Sequence, residues 1–556
     1  MEEIRMIGLK RVTAWLALGT IMAAAVPTTG FAQDVNGNWT EYNGDYRSWR
    51  YSPLDKINKS NVGKLKVAWI HQPGDITSGI QVTPLVIDGV MYYISANNRV
   101  YAVDAATGTQ IWDFIPELDP DHIKSIFASM SRGVAISQGK VLFGTSDGRL
   151  FAIDQKTGKE GWSAQLTNPK VCHGCNFTSP PTIAGDVAII GKTGGDLAQK
   201  GLIYGVNVAD GKLLWTFEVL KDDPASWPAD QRATGGGGAW MPGVYDPNTG
   251  LYYVGTSNPA PDFRAGQRRG DNLYTSSIVA LEPKTGKVAW HHQEVPNDAW
   301  DFDSQNEIVS IKHDGKDVLF HLNKGGFVSV LDKKDGSVIN VWQFSENVNW
   351  VDKIDPKTGK LGTRNEPTDS EKKIFCPSAL GARSMNAGSY NPKTNLWYTN
   401  GFELCNSAQT VATPTDKLAF SQPYFATAEF EFNPPPGKQA SAYLKAFDPV
   451  TGKMAWRVDY KNPGLGSVLS TAGGLVFNGD SEGNVHAYDG SNGKELWKFQ
   501  TGSGIRAGIV SYMAGGKQYI VVPSGFGSLF PGFASAVFTD FKKVRGGAAV
   551  IAFTVD

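Results

Sequence analysis

A short unit that ends in tryptophan recurs along most of this chain and constrains its fold more than any other feature. Each copy reads as a β-strand, a polar turn with glycine, and a second strand that closes on the tryptophan. Seven copies end at Trp112, Trp162, Trp215, Trp290, Trp342, Trp456 and Trp497, and KLKVAW at Trp69 is a further candidate. Strand repeats at roughly 40 to 50 residues, without helical periodicity, are typical of propeller blades. The sequence therefore predicts an all-β fold, a β-propeller of about eight blades, with seven as the alternative.

The repeat also predicts where the propeller carries its site. We interpret the tryptophans as structural, because a large ring wedged between neighbouring sheets suits a buried position. Residues 216–280 and 343–440 lengthen the spacing, and the gap from Trp342 to Trp456 leaves room for two blades. Long insertions in a propeller gather on one face and commonly build its site.

Charge and the N-terminus limit the classes of function. The chain has 556 residues and a formal net charge of −1, which argues against a nucleic-acid or anionic-membrane partner. Basic residues, the apolar run WLALGTIMAAAV and then PTTGFAQ predict a signal peptide over residues 1–32, with an uncleaved anchor as the alternative. No later apolar run reaches the roughly 18 residues that span a bilayer. We therefore predict one domain over residues 33–556, exported to the periplasm, without a membrane span.

The four cysteines fit an oxidising compartment. Cys172 and Cys175 form CHGC, but Asn176 follows them, so the haem-attachment pattern C-x-x-C-H is missing. A short-loop disulfide and two free thiols both remain open for this pair, and metal binding is less favoured. Cys376 and Cys405 stand far apart in the sequence.

The window from Gly235 to Asp303 concentrates residues that suit a cofactor. It opens with GGGG and Trp240, continues through GTSNP with Asn258, and closes on AWDFD, which contains Asp301. Glycines let a backbone approach a flat ligand closely, and tryptophan stacks on such a ligand. Asparagine and aspartate oxygens are ligands for hard cations. The window predicts a platform for an aromatic cofactor beside a metal, or, as the alternative, ordinary turn residues of an all-β protein.

Taken together, these motifs resemble the pyrroloquinoline quinone (PQQ)-dependent alcohol dehydrogenases, a family that includes methanol dehydrogenase. The resemblance runs from about Asn38 to the C-terminus and covers RYSPLDKIN, the tryptophan repeats, GGGGAW, GTSNP, AWDFD and CPSALG. It implies an eight-bladed propeller with PQQ in an axial funnel. It also implies a periplasmic enzyme that oxidises an alcohol to a carbonyl compound, with a calcium or lanthanide ion and a soluble cytochrome c as the external electron acceptor.

The resemblance assigns roles to matching positions. It makes Asp301 the catalytic base, and it predicts four metal ligands at Asp196, Asn258, Asp301 and Asp303. Asp196 stands where the family has a glutamate, and Asp303 matches the additional carboxylate of lanthanide-using members. The implied cofactor contacts are Gln81, Arg132, Thr178, Thr193, Gly194, Gly195, Trp240 and Lys324. Cys376 and Cys405 match a disulfide of relatives.

Several departures from the family shape the prediction. The adjacent-cysteine ring is missing from IFASMSRGV, so Ala128, Ser129 or Met130 must cover that cofactor face. Leu465 replaces a bulky aromatic of methanol-specific members, which indicates a substrate bulkier than methanol, such as a secondary alcohol, a polyol or a sugar. Without a haem domain, electrons must pass to a separate acceptor. The alternatives are a non-catalytic scaffold of outer-membrane assembly and a metal-dependent hydrolase, and the acidic set beside Trp240 argues against the scaffold.

Overall fold

The structure is a computed structural model that describes residues 37–76, 78–119, 130–168, 174–419, 422–527 and 529–555. The described residues form one compact unit. The predicted signal peptide lies outside them, as do Ala128, Ser129 and Cys172. Strands make up nearly all the regular structure, and the described residues contain one α-helix, α1 (Phe530–Ala534). Short 3-10 turns lie at Val62–Lys64, Gly195–Leu197, Arg232–Thr234, Ala265–Gln267, Thr415–Lys417 and Thr539–Lys543.

Strands β1 (Tyr51–Ser52) and β2 (Lys66–His71) precede five consecutive four-stranded sheets. The first two contain β3 (Leu85–Ile87), β4 (Val90–Ile94), β5 (Val100–Asp104) and β6 (Gln110–Phe114), then β7 (Ala135–Ser137), β8 (Lys140–Gly144), β9 (Arg149–Asp154) and β10 (Glu160–Gln165). The third and fourth contain β11 (Thr182–Ala184), β12 (Val187–Gly191), β13 (Leu202–Asn207) and β14 (Leu213–Glu218), then β15 (Val244–Asp246), β16 (Leu251–Gly255), β17 (Ser277–Leu281) and β18 (Val288–Gln293). The fifth contains β19 (Ile308–His313), β20 (Lys316–Leu322), β21 (Phe327–Asp332) and β22 (Val338–Gln343).

The remaining strands build four more sheets, one of which is an insertion. The inserted three-stranded sheet and the sixth sheet share the segment β23 (Lys373–Phe375), β24 (Ser389–Asn391), β25 (Leu396–Glu403), β26 (Cys405–Thr410), β27 (Thr427–Asn433), β28 (Ser441–Phe447) and β29 (Met454–Tyr460). The seventh contains β30 (Leu469–Thr471), β31 (Leu475–Gly479), β32 (Asn484–Asp489) and β33 (Glu495–Gln500), joined by β1. The eighth contains β34 (Val510–Ala514), β35 (Lys517–Ser524) and β36 (Ala549–Thr554), joined by β2.

The pairing pattern is that of a β-propeller. Within each sheet, strands that follow one another pair antiparallel, and β2 pairs antiparallel with β36, so strands from both ends of the described chain share the last sheet. Strand β1 pairs parallel with β30. This arrangement confirms the predicted all-β propeller. The described residues contain eight sheets of four or five strands, and the predicted number of about eight blades stays an estimate.

Tryptophans dock each sheet on the next. Each of seven indoles lies against the turn glycine of the following sheet, in the pairs Trp69–Gly108, Trp112–Gly158, Trp162–Gly211, Trp215–Gly286, Trp290–Gly336, Trp342–Gly452 and Trp456–Gly493. In six of them the indole N–H also donates to a backbone carbonyl of that sheet, at 2.8–3.2 Å. The structural interpretation of these tryptophans is confirmed, and Trp69 joins them. Trp497 instead packs against Phe499 and Phe553.

The prediction that the gap between Trp342 and Trp456 has room for two blades is wrong. Trp342 docks directly on Gly452, in the sheet that ends at Trp456, so the gap holds one four-stranded sheet. The extra residues form the inserted sheet instead, because β25 pairs with β28 and leaves β26 and β27 to pair with each other. The predicted disulfide between Cys376 and Cys405 is confirmed and ties this insertion together.

Docking makes a specific prediction about stability. Gly286 has φ +69°, and a Cβ there would lie 2.5 Å from the ring of Trp215. Gly250, on the same sheet, has φ +70° with no atom within 4 Å of its Cβ position. Both alanine variants carry the backbone cost, but only Gly286→Ala also clashes, so we expect it to lose about 1–3 kcal/mol more unfolding free energy than Gly250→Ala. Urea unfolding measures this difference. Equal losses of unfolding free energy in the two variants would show that the ring of Trp215 is not tightly packed against Gly286.

Candidate active site

One cavity of about 180 Å³ collects most of the predicted site residues. Ten of the twelve line it: Arg132, Thr178, Thr193, Gly194, Gly195, Asp196, Trp240, Asp301, Asp303 and Lys324. Both segments that lengthen the repeat contribute to its wall, the first through Trp240 and the second through Arg383. Two groups of charged side chains line the cavity together with Trp240. We call the group around Asp301 and Asp303 the acidic end and the group around Arg132 the cationic end.

At the acidic end, Lys324 bridges two carboxylates. Its ammonium lies 3.0 Å from Asp301 Oδ1 and 2.7 Å from Asp303 Oδ2. Burial raises the pKa of Asp301 well above its usual range, and Lys324 opposes that shift. Burial lowers the pKa of Lys324, but the charges of Asp301 and Asp303 outweigh it and raise the pKa overall. Lys324 therefore favours the ionised form of Asp301 and opposes, without cancelling, the effect of burial on its pKa.

The loop that carries Asp301 is held in a strained shape by a residue that the sequence did not single out. Asp301 has φ +63°, a backbone conformation uncommon outside glycine. Asp298 accepts the N–H groups of Trp300 at 2.9 Å and Phe302 at 2.7 Å, on either side of Asp301. Ser276 donates to the same carboxylate at 3.0 Å. Strain of this kind persists where surrounding bonds over-determine the backbone, and here they fix the direction of Asp301.

The predicted metal ligands lie together beside this loop. Asp303 Oδ1 accepts the N–H of Asn258 at 3.0 Å, and the side chain of Asn258 is hydrogen-bonded to Asp196. Burial, followed by the charge of Asp303, raises the pKa of Asp196 to about 6. Asp262, which the sequence reasoning missed, is fully buried, and burial and the charge of Asp196 raise its pKa well above the usual range.

These residues fit a bound cation. In the described part of the chain, Asn258 Oδ1 and both carboxylate oxygens of Asp262 are buried without a hydrogen-bond partner. Oxygens of this kind are the ligands that calcium and lanthanide ions take. No group of three or more His, Cys, Asp or Glu side chains in the described ranges is already arranged to hold a metal. The ammonium of Lys324 contacts both Asp301 and Asp303, and its single positive charge offsets one of their two negative charges.

The cationic end is built around Arg132. Its guanidinium lies over the ring of Trp240, 5.1 Å from the centroid, donates to Thr178 Oγ1, and places Nε 2.8 Å from Met385 Sδ. Burial lowers the pKa of Arg132 to about 10. Thr193 also lines the cavity, with its hydroxyl bonded to the loop at Gly174 and Asn176. A buried guanidinium next to hydroxyls and an aromatic face fits a flat, polycarboxylated ligand.

The glycine run at 235–238 has a different role from the one predicted. None of its four residues is among those that line the cavity. A Cβ on Gly235 would lie 2.7 Å from the ring of Trp227, and one on Gly236 would lie 2.7 Å from the backbone of Ala260. Gly237 donates its N–H to the carbonyl of Asn258 at 2.9 Å. The run therefore packs against protein and positions Asn258, rather than approaching a ligand.

Gln81 is the one predicted cofactor contact that lies outside the lining of this cavity. Its side-chain amide donates to the carbonyl of Gly527 at 3.2 Å. Its role toward a cofactor stays a prediction. Leu465 is also fully buried behind the wall, in one cluster with Phe526 and Phe530.

The remaining lining residues were not predicted as site residues, apart from Met130, which the sequence offered as a cover for the cofactor. Three of them lie in motifs that carry the family resemblance: Ser257 in GTSNP, and Ala379 and Leu380 in CPSALG. The others are Gln305, Asn306, Arg383, Ser384, Met385, Arg506, Leu529, Phe530 and Phe533. Their positions depend on which loops meet, and isolated residues carry no pattern.

Cys175 is disulfide-bonded, so it is not a free thiol, whereas Cys172 lies outside the described residues.

A propeller cavity that combines an aromatic face with a cationic and an acidic group of side chains is typical of a cofactor-dependent enzyme. A family model described as "PQQ: Glucose/ethanol/alcohol dehydrogenase, beta-propeller domain" matches residues 39–348 and 457–520. The quinohemoprotein alcohol dehydrogenase ADH IIB of Pseudomonas putida is 37% identical over 546 residues, covering 93% of this chain and 77% of that protein. The quinoprotein alcohol dehydrogenase PedH of Pseudomonas putida is 36% identical over 537 residues, covering 91% and 89%. The chain belongs to the PQQ-dependent alcohol dehydrogenase family.

A solved structure supports the same assignment. A europium-containing methanol dehydrogenase superposes with a TM-score of 0.87 at 28% identity, covering 94% of this chain and 99% of that one. The family assignment favours an enzyme over the alternative of a non-catalytic scaffold. Within the described ranges, no helix has both the length and the apolar character that a membrane crossing requires.

Proposed function

We propose that this protein is a periplasmic quinoprotein that oxidises an alcohol bulkier than methanol to a carbonyl compound. The observation that carries the proposal is the meeting of Asp301, Asp303 and Lys324 with Trp240 and Arg132 in one cavity. Among the described residues, this combination of a base, oxygen ligands and an aromatic platform has no evident structural purpose. Membership of the family supplies the chemistry that it fits.

Named residues would hold the cofactor and its ion. Trp240 would form the floor under PQQ, with Arg132, Thr178 and Thr193 toward its carboxylates. Asp196, Asn258, Asp301 and Asp303 would hold calcium or a lanthanide. When bound, PQQ and its ion supply a polarised quinone that accepts two electrons and a hydrogen from the alcohol carbon.

The chain's own residues would manage the proton. Asp301 would accept the proton of the substrate hydroxyl, because it matches the family's catalytic carboxylate and is paired with Lys324 on a loop that Asp298 holds. Lys324 would favour the ionised form of that carboxylate, and Asp298 would hold its direction through the two flanking N–H groups. This arrangement would orient Asp301 for general-base catalysis before substrate binds.

Export and electron transfer belong to the same proposal. Residues 1–32 would be the signal peptide and 33–556 the single dehydrogenase domain, which is consistent with disulfide bonds at Cys376 and Cys405 and at Cys175. A soluble cytochrome c would take the electrons.

The direct test is dye reduction by the purified full chain with PQQ, a cation and an alcohol. Turnover that needs all three supports the proposal, whereas a chain that neither binds PQQ nor turns over would fit the scaffold alternative.

The apolar wall of the cavity predicts the substrate preference. Leu380, Leu529, Phe530 and Phe533 line it, and Leu529 and Phe533 remain partly exposed at 37% and 41%. Because a buried methylene is worth about 0.8 kcal/mol, we expect kcat/KM to rise up to roughly fourfold per methylene from ethanol to hexanol. Phe533→Ala should flatten this dependence while changing ethanol little. A native enzyme that prefers methanol would contradict the bulky-substrate proposal.

A further inference from the structure

The wall of the cavity carries a second buried arginine beside Arg132 that no sequence motif predicts. Arg506 lies between β33 and β34, is only 7% exposed, and lines the same cavity. Arg132 precedes β7 and is 5% exposed, so two guanidiniums from distant parts of the chain converge at one end. Arg383, a third cavity arginine, is ion-paired with Glu307, which offsets its charge.

One dipeptide links the two arginines. The amide of Asn386 donates to the carbonyl of Arg506 at 2.9 Å, and the sulfur of the preceding residue, Met385, lies against Arg132 Nε at 2.8 Å. The main chain at Arg506 and the side chain of Arg132 therefore contact the same short segment. Burial and the nearby charge of Arg132 lower the pKa of Arg506 to about 9, so the two like charges repel. Holding like charges close and buried is costly, and an anion between them would offset that cost.

The geometry points to Arg506 as a second cationic contact for a carboxylate of PQQ, alongside Arg132. This inference rests on the proposed function. It places two guanidiniums in the cavity that Asp301, Asp303 and Lys324 also line, so charge would favour one orientation of a polycarboxylated cofactor. Arginine suits this role because its planar fork binds carboxylates in two parallel hydrogen bonds. A carboxylate of the substrate is the other anion that would fit the same chemistry.

The test is equilibrium binding, measured without substrate and without turnover. The full chain, freed of cofactor, is titrated with PQQ in the presence of calcium, and quenching of tryptophan fluorescence reports binding. We expect Arg506→Met to weaken PQQ binding roughly tenfold or more, because a desolvated charge partner is lost, and Arg506→Lys to recover part of it. PQQ trimethyl ester is the matched control ligand, since its carboxylates carry no charge. Its affinity should change little between native protein and Arg506→Met.

Each outcome separates this inference from the proposed function. Native affinity for PQQ in folded Arg506→Met would overturn the inference and leave the function standing. Equal losses for PQQ and the trimethyl ester would also overturn it, because they indicate a packing role. If Arg506→Met fails to fold, the neutral and polar variant Arg506→Gln decides: native affinity for the ester with weaker PQQ binding supports the inference, and native affinity for both ligands overturns it. Failure of native protein to bind PQQ at all would overturn the proposed function and this inference with it.

Discussion

Replacing Asp301 with asparagine is expected to lower alcohol turnover by about 10²–10⁴-fold while PQQ stays bound. Asparagine has nearly the same shape but cannot accept the hydroxyl proton. Lys324 would keep its contact with Asp303 at 2.7 Å, so the acidic end should remain assembled. Steady-state dye reduction measures the rate, and fluorescence titration measures cofactor binding in the same preparation.

A second variant separates the charge of Asp301 from its position. Asp301→Glu keeps a carboxylate but extends it by one methylene, from a backbone at φ +63° that the loop holds rigidly. We expect intermediate activity from it. Near-native turnover in Asp301→Asn would remove Asp301 from the role of base, whatever the glutamate variant does.

The choice of cation is the second large effect, and it depends on Asp303. We expect native protein to be more active with a light lanthanide than with calcium, because Asp196, Asp301 and Asp303 would supply three negative charges, of which the ammonium of Lys324 offsets only one. At an effective dielectric constant near 20, one charge pair at about 4 Å is worth up to about 4 kcal/mol, and a trivalent ion gains more from each carboxylate than a divalent ion does. Removing the charge of Asp303 should therefore reduce the lanthanide preference at least tenfold.

Two variants distinguish the charge of Asp303 from its structural contact. Its Oδ1 accepts the N–H of Asn258 at 3.0 Å. Asp303→Asn can keep that bond and lose the charge, whereas Asp303→Ala loses both. The measurement is activity of PQQ-loaded protein titrated with calcium or lanthanum. If native protein works with calcium alone and Asp303→Asn behaves identically, Asp303 is not a ligand and the lanthanide prediction is wrong.

The sequence predicted the elements that repeat and the motifs that lie within one segment. The repeat that contains Trp112 and Trp215 is periodic, so its strands and turn glycines could be predicted without tertiary information. The region from Trp342 to Trp456 could not, because whether β25 pairs with β26 or β28 is decided by non-local contacts. The prediction of two blades there failed for that reason.

The site residues also divide into those that lie in local motifs and those that non-local contacts decide. Asp301, Asp303 and Trp240 lie in motifs, and the structure brings them into one cavity. Asp298 and Asp262 lie within the window from Gly235 to Asp303, and Arg506 lies outside every motif. None of the three was predicted, since their importance comes from burial and from the partners that folding gives them. The glycine run was interpreted by composition alone, and its contacts show that packing around Asn258 explains it.

The most direct test of the central claim is the absorbance of bound PQQ on anaerobic addition of alcohol to the reconstituted full chain. We predict that one equivalent of a bulky alcohol, such as hexanol, reduces the bound cofactor in native protein. Asp301→Asn should bind the same amount of PQQ, and its absorbance should not change within the time that reduction takes in native protein. Bound PQQ that no alcohol reduces in native protein would contradict the assignment of this cavity as an alcohol dehydrogenase site.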